Sequence, residues 1–468
     1  MEQRSWARLW AELGGDPALS EYVRLVPRGP ADVLPARLPV RELARAAVAV
    51  CALAAAEWAA VRSGGRVPSV RVDDGAVATA FTSERHLRID GRPAATFAPL
   101  SRFWRTDGGW VRTHANYPHH RARLLSALGV RDDGSGGDGS GNEAALVGAV
   151  AAELAGRRAE DVEELVYSAG GLAVAVRTPG QWAAHPQGAA VAGLPLVGRE
   201  RLDDAPPLPL PPAGPRVLDL TRVIAGPVAG RTLALLGADV LRIDPPHLPE
   251  SADAHADTGF GKRSALLDLA SPSGRRTFEE LLSAAHVVVT GYRPGALDRL
   301  GLSAGELAER RPGLVVAELS AWGGAGTGPW GGRRGFDSLV QAASGIAVAE
   351  AGGDGRPGAL PAQALDHGTG CLLAAAVLRS LTGQQRDGGT RRVRLALART
   401  AHWLLHELEA PAEPDGPREP YDPAGWLTET DSPLGRLRHA VSPVEYEGGP
   451  RKWARPPGRP GADAPVWG

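Results

Sequence analysis

Asp366 is the residue with which the chemistry of this chain begins. It stands in LPAQALDHGTG, Leu360 to Gly370, between the glycine-rich AGGDGRPGA and the apolar run CLLAAAVLRSLTG. An acid at a helix start is held ionised by backbone N–H groups and the helix dipole. Asp is also a strongly preferred N-cap, so its position alone is not a signature. The second cluster of reactive side chains is HANYPHHR, with His114, His119 and His120. Adjacent histidines on a helix cannot both face one ion, and no acid or cysteine has matching spacing. They read as solvated residues at a helix start, with no metal site.

The elements that must position Asp366 are legible around it. RVLDL is a strand, TRVIAGPVAGRTLALLGA turns into a helix, and ADVLRIDPP is the next strand, closed by a double proline. That β–α–β unit has the size of a parallel crossover. KRSALLDL, HVVVTGY and LVVAELSAW add strands, with the helix SGRRTFEELLSAA and two short helices between them. The alternation predicts an α/β fold with a doubly wound, Rossmann-like parallel sheet, its ligand crevice at the carboxyl ends of the strands. Those ends carry Arg222 to Pro227, Pro245, Gly291 to Pro294 and Ser320 to Gly324. The first turn lacks G-x-G-x-x-G, which weakens a dinucleotide reading.

Upstream, the sequence predicts a short amphipathic helix, a Pro-rich loop, and an Ala-rich helix from Val40 to Ser63. Two strand-like pieces, SVRVDD and VATAFTSERHLRI, a hairpin turning at Asp107-Gly108 and a helix from Tyr117 follow. DDGSGGDGSGN reads as a flexible loop, and two further helices follow it. DDAPPLPLPPAGP, residues 203–215, is a stiff linker and the clearest boundary. It divides an N-terminal module, 1–202, from an α/β domain, 216–410, with a closing segment at 411–468. A second, smaller α+β domain is expected beside the main sheet.

Composition excludes several classes. The 468 residues carry a formal net charge of −1, which points to neither nucleic acid nor an anionic membrane. The basic residues are almost all Arg; Lys262 and Lys452 are the two lysines. Both cysteines, Cys51 and Cys371, fall in apolar helical runs and read as buried thiols in a reducing compartment. The N-terminus has acids and no signal-peptide pattern, so a cytoplasmic protein is expected.

The chain also contains a half-repeat. Leu38 to Val72 can be laid on Leu360 to Leu395, matching Leu-Pro, an Ala-rich helix, Gly-Gly and a V-R strand. Asp366 then falls on Ala44, so one copy has an acid where the other has a methyl group.

RVLDLTRVIAGPVAGRTLALLGADVLRIDPP resembles the opening of the family III CoA-transferases, the CaiB/BaiF family. KRSALLDL, VVVTGYRPGALDRLGL, LSAWGGAGTGPW, RRGFDSLVQAASGIA and ALDHGTG follow in the family's order, from Arg216 to about His402. Phe103 to Val197 resembles the family's small domain and return segment, so the chain reads as a rearranged tandem whose first copy has lost its Asp. The resemblance implies coenzyme A as substrate, no metal, and small-molecule partners: an acyl-CoA and a carboxylic acid. It implies one complete active site per chain, or sites shared across a homodimer. Asp366 would attack the donor thioester, with oxyanion N–H donors supplied by the Gly-rich loops and the helix start. Arg222, Val223, Ile224, Ala225, Gly291, Tyr292 and Arg299 would line the CoA groove, with Arg334 reaching a phosphate. Gly291 stands where the family often has Asn, and Pro245 where a basic residue is common. The alternatives are an α-methylacyl-CoA racemase or isomerase and a non-catalytic CoA-binding remnant. The racemase motif Gly-His-Asp reads Gly335-Phe336-Asp337 here, so its base is missing.

Overall fold

A computed structural model describes residues 5–26, 30–95, 97–132, 140–409 and 419–468. Most of the expected Gly/Ser loop and the start of the closing segment lie outside the described residues.

The α/β expectation is met by a seven-stranded sheet. Its strands are β1 (Gly198–Arg201), β2 (Arg216–Leu220), β3 (Asp239–Asp244), β4 (Arg263–Leu266), β5 (Val287–Thr290), β6 (Val315–Ser320) and β7 (Arg391–Ala396). They lie side by side in the order β4-β3-β2-β5-β6-β7-β1. All pairs are parallel except β7 with β1. Val217 in β2 pairs with Val240 on one side and Val287 on the other. The chain first builds outward from β2 to β3 and β4, then returns to the other side at β5. That reversal opens a crevice beyond the carboxyl ends of β2 and β5.

Five helices matter for the site: α1 (Val40–Ser63), α2 (Pro118–Leu128), α3 (Ala225–Leu235), α4 (Asp337–Ser344) and α5 (Ala364–Asp387). Helix α1 is long and apolar enough to cross a membrane, yet most of it is buried in the protein interior. It packs on α5, which in turn packs on α3. Small residues permit the close approach. A Cβ at Gly370 would come within 2.5 Å of the Ala225 carbonyl oxygen, and one at Gly368 within 2.6 Å of Leu43. The Glu57–Arg379 ion pair ties α1 to α5 further along. Both cysteines are free and buried in this helix layer.

The half-repeat has a structural counterpart with one revision. Helices α1 and α5 have the same length, 24 residues each, and Glu42 and Asp366 are each the acid of the first turn. Counted from the helix starts, Asp366 corresponds to Glu42, not Ala44. Glu42 is engaged in an ion-pair network: it lies 3.1 Å from the Arg45 guanidinium, which also meets Asp74 at 2.6 Å.

The smaller α+β unit is present. Phe103–Thr106, Gly109–Thr113 and Ala173–Ala175 form a three-stranded antiparallel sheet packed on α2, Ser140–Ala155 and Ala159–Ser168. It has its own apolar core, including Trp104, Leu124, Val150 and Val166. The N-terminal half also gives the large sheet its edge strand β1, and Arg88–Ile89 pairs with the C-terminal strand Gly435–Ala440. The Pro-rich stretch at 203–215 runs as a strap against the sheet. Gln385 donates to the Leu208 carbonyl at 2.8 Å, and the His286 ring lies 2.9 Å from the Pro209 carbonyl oxygen. VATAFTSERHLRI is extended only at its end, Arg88–Ile89. The rest falls in the helices Asp74–Phe81 and Ser83–His86, because the Asp73 side chain accepts from the N–H groups of Gly75 and Ala76 and nucleates the first turn.

Candidate active site

The loop after β2 is locked from below. Asp219 accepts from Thr221 N at 3.1 Å, and its other oxygen meets Lys262 Nζ at 2.8 Å. Lys262 also donates to the Pro227 carbonyl at 2.8 Å, binding the loop to the first turn of α3. Burial lowers the Lys262 pKa to about 8, against the pull of Asp219. Val223 has φ +71°, a left-handed conformation that a β-branched residue rarely adopts. Its N–H donates to Glu250 at 3.0 Å, which holds the strained residue in place.

Glu250 is the hub of the loop's outer side. Its carboxylate accepts from Tyr117 Oη at 2.7 Å and from Arg222 Nε at 3.4 Å, with Arg242 at 3.6 Å. Burial opposes its charge, but Arg222 and Arg242 hold its pKa below the usual range. The Arg222 guanidinium lies 5.0 Å from the Tyr117 ring centre, an attractive cation–π contact.

Asp366 is buried, at 6% exposure, in the first turn of α5. It is not the N-cap; Gln363 is. The cap is supplied from another helix. Asp337, at the start of α4, accepts from Asp366 N at 2.9 Å. Its other oxygen accepts from Gln341 Nε2, while Gln341 Oε1 accepts from Leu360 N at 2.9 Å. Asp337 and Gln341 therefore clamp both ends of the segment that carries Asp366. The Asp366 carboxyl itself makes no hydrogen bond among the described residues. Burial, then Asp337, then Glu84 push its pKa well above the usual carboxylate range. This corrects the expectation that the helix start keeps it ionised: the first-turn N–H is already taken by a second acid. His367 points away, toward Glu84 at 3.4 Å and the Phe81 ring at 5.4 Å.

One cleft at the carboxyl ends of the strands collects most of the residues proposed from sequence. Arg222, Val223, Ala225, Gly291, Tyr292, Arg334 and Asp366 all line it. Ile224 is the N-cap of α3 and packs on the core instead. Arg299 is exposed on the turn Asp298–Leu300 and does not line the cleft, because Leu297 and Leu300 turn inward to the core and leave it facing outward. Arg293 lies in the strand end Gly291 to Pro294 expected at the crevice, Arg333 lines the cleft without a signal in the sequence, and Leu248 lines it while Pro245 does not. Gly368 and Gly370 allow α5 to pack closely on α1 and α3.

Two of the three histidines, His114 and His120, are also not solvated, and His119 is half-buried. His114 stacks on Phe336 with ring centres 3.7 Å apart, and His120 is 5.8 Å from the same ring. His114 and His120 are each 3% exposed, and His119 and His120 line the cleft. Burial, then like charge nearby, drives the His120 pKa down to about 2. Among the described residues no group of acids, histidines and cysteines has a metal-binding arrangement.

Residues 213–419 match the family model of CoA-transferase family III. Over those residues, less than half of its length, the chain is similar to the family III CoA-transferases. It is 33% identical over 195 residues to formyl-CoA:oxalate CoA-transferase of Streptomyces coelicolor, covering 39% of this chain and 47% of that protein. Over 215 residues it is 32% identical to succinate–glutarate CoA-transferase of Agrobacterium fabrum, covering 42% and 53%. Among solved structures, Rv3272 from M. tuberculosis in its orthorhombic form is 36% identical, covering 43% of this chain and 57% of that one, with a TM-score of 0.40. The chain spans about half the length of the curated relatives it matches.

Proposed function

We propose that this chain transfers coenzyme A from an acyl-CoA to a carboxylic acid, with Asp366 as the covalent nucleophile. The observation that carries this is the single unbonded carboxyl of Asp366 in a cleft lined by arginines, at the switch point of the sheet. The relatives named as formyl-CoA:oxalate and succinate–glutarate CoA-transferases support the same reaction class. Coenzyme A enters as substrate, with Val223, Ala225, Tyr292 and Arg222 along its path.

The ionised Asp366 attacks the thioester carbonyl, forming a C–O bond and breaking the C–S bond. A mixed anhydride and CoA thiolate result. The thiolate attacks the aspartyl carbonyl, releasing the first acid and leaving an aspartyl-CoA thioester. The incoming carboxylate attacks that thioester, and the thiolate then takes the new acyl group, restoring Asp366. Together these covalent steps replace one difficult exchange between two carboxylates. Asp366 must shed its proton first, so turnover rises with pH.

The racemase reading is weaker here. Phe336 occupies the base's position, and His120, neutral and weakly basic, is a poor acceptor for an α-proton. Separation of acyl-CoAs after incubation with one acyl-CoA and a different free acid tests the proposal. Appearance of the second acyl-CoA with wild type, and none with Asp366→Ala, is expected. Exchange of the α-hydrogen with solvent without a new acyl-CoA would favour the racemase.

A further inference from the structure

Residues 321–336 connect β6 to α4 and contain neither helix nor strand. Gly323 and Gly328 have φ of +114° and +59°, a region that strains other residues and leaves glycine free. The end of this segment shapes the site: Arg333, Arg334, Gly335 and Phe336 line the cleft beside Asp366. Its glycine-rich start, Gly323 to Ala325, lines a second cavity that shares Tyr292, Arg293 and Ser320 with the first. A loop of this kind works only when a rigid scaffold positions it.

The scaffold comes from the N-terminal module. Gln187, in the short helix Pro186–Ala192, is fully buried. Its Nε2 donates to the carbonyls of Trp322 and Thr327 at 2.7 and 2.8 Å, and its Oε1 accepts from Trp330 N at 2.5 Å. Both of its side-chain N–H donors and one acceptor site are thus spent on this one segment. The contacts beside it come from the same module. Trp330 is buried between the Arg177 and Arg333 guanidiniums, 5.2 and 5.1 Å from its ring centre. Glu164 pairs with Arg333 at 2.8 Å, and Tyr167 Oη donates to the Arg334 carbonyl at 2.9 Å. Among the described residues, no side-chain hydrogen bond of Gln187 reaches Asp337, Gln341 or Asp366, so the clamp on the nucleophile is separate.

We propose that Gln187 is a positioning residue of the active site, acting through residues 321–336 to set Arg333, Arg334 and Phe336 in the cleft. Gln187 itself does not line the cleft. The module before the Pro-rich strap is then a working part of the site and not a decayed copy. The inference rests on the transferase reading for coenzyme A as the ligand of the cleft. Guanidiniums on the cleft wall hold a substrate equally before and during reaction, so displacing them raises KM and Kd and leaves kcat. A merely structural role does the opposite: it lowers the amount of active protein, hence the apparent kcat, and leaves KM and Kd unchanged.

Gln187→Met keeps the length of the side chain and removes its hydrogen bonds, leaving two carbonyls and one N–H unpaired. Gly328→Ala strains the same contact from the other side, where a Cβ would lie 2.7 Å from Gln187 Oε1. Gly328 is exposed, so this variant keeps the test informative if Gln187→Met does not fold. Calorimetry on the full chain gives the Kd of coenzyme A, and transfer assays give KM and kcat. Each variant is expected to raise the Kd of coenzyme A and the KM of the acyl-CoA about tenfold, the worth of one bond to a charged group, with kcat within about twofold. Amide exchange read by mass spectrometry is expected to quicken in residues 321–336 and stay slow in α5. Unchanged Kd and KM in both variants overturn the proposal, whether or not kcat falls with the folded fraction. A wild type that binds coenzyme A but forms no new acyl-CoA removes the transferase reading, while a raised Kd in the variants still supports the positioning role. A wild type that does not bind coenzyme A overturns both.

Discussion

Replacing Asp337 by Asn looks conservative, and the hydrogen-bond pattern says it is not. Asp337 accepts on both oxygens, from Asp366 N on one and from Gln341 Nε2 on the other. Asn has one acceptor and one donor. If its oxygen faces Asp366, its amide faces the Gln341 amide, donor against donor. If Gln341 turns over to accept, it abandons Leu360 N, which its oxygen now holds at 2.9 Å. Either way one buried donor loses its partner, a cost of about 1–3 kcal/mol. The clamp also fixes the segment carrying Asp366, and a displacement of about 1 Å at a reacting group costs on the order of a hundredfold in rate. Gln341→Glu alone sets a second acid against Asp337 and is also destabilising. When both substitutions are made together, however, the carboxylate introduced on α4 accepts from both the Asn amide and Leu360 N, so every donor is paired again. Urea unfolding followed by tryptophan fluorescence, with parallel transfer rates, is the assay. The double variant should be more stable than the sum of the single losses by about 1–3 kcal/mol and recover part of the rate. Additive losses would show that Asp337 and Gln341 do not act as a clamp.

Two further outcomes follow from the same geometry. Because Asp366 has a raised pKa in the fold, its neutral form contributes stability that is full below the ordinary carboxylate pKa of about 4 and lost as pH rises. Asp366→Asn should therefore gain stability relative to wild type as the pH is raised from about 4 to about 8, while wild-type kcat/KM climbs over the same range; a flat difference curve would contradict the assignment. Gly370→Ala drives a Cβ to 2.5 Å from the Ala225 carbonyl, against rigid backbone, and should cost about 1–3 kcal/mol and reduce the transfer rate by separating α5 from α3; unchanged melting would show that the helices have room to move.

The centre of the sheet is legible in the sequence because its strands are short apolar runs with turn residues beside them, whereas the edge strand β1 reads GRER and gives no such signal. Helix α1 is legible for the same reason, since nothing in Val40–Ser63 interrupts the helix. The failures are those of long-range contact and local capping. VATAFTSERHLRI has β-branched and aromatic residues, yet one cap at Asp73 decides for helix. His114 and His120 look solvated in HANYPHHR because Phe336, which buries them, lies far along the chain. Asp337 reads as the remnant of a motif lacking its histidine, whereas its role is to cap the helix of Asp366. Arg299 falls in the groove by resemblance, and the inward turn of Leu297 and Leu300 takes it out of the cleft. The resemblance locates the cleft; the protonation of Asp366 depends on tertiary structure.

The most direct test of the central claim is the mass of the intact protein after incubation with a panel of acyl-CoAs, comparing wild type with Asp366→Ala. A covalent acyl or CoA adduct on wild type, located at Asp366 by peptide mapping and missing from the variant, is the predicted result. Turnover by wild type with an adduct mapped to another residue, or full turnover by Asp366→Ala, would contradict the account.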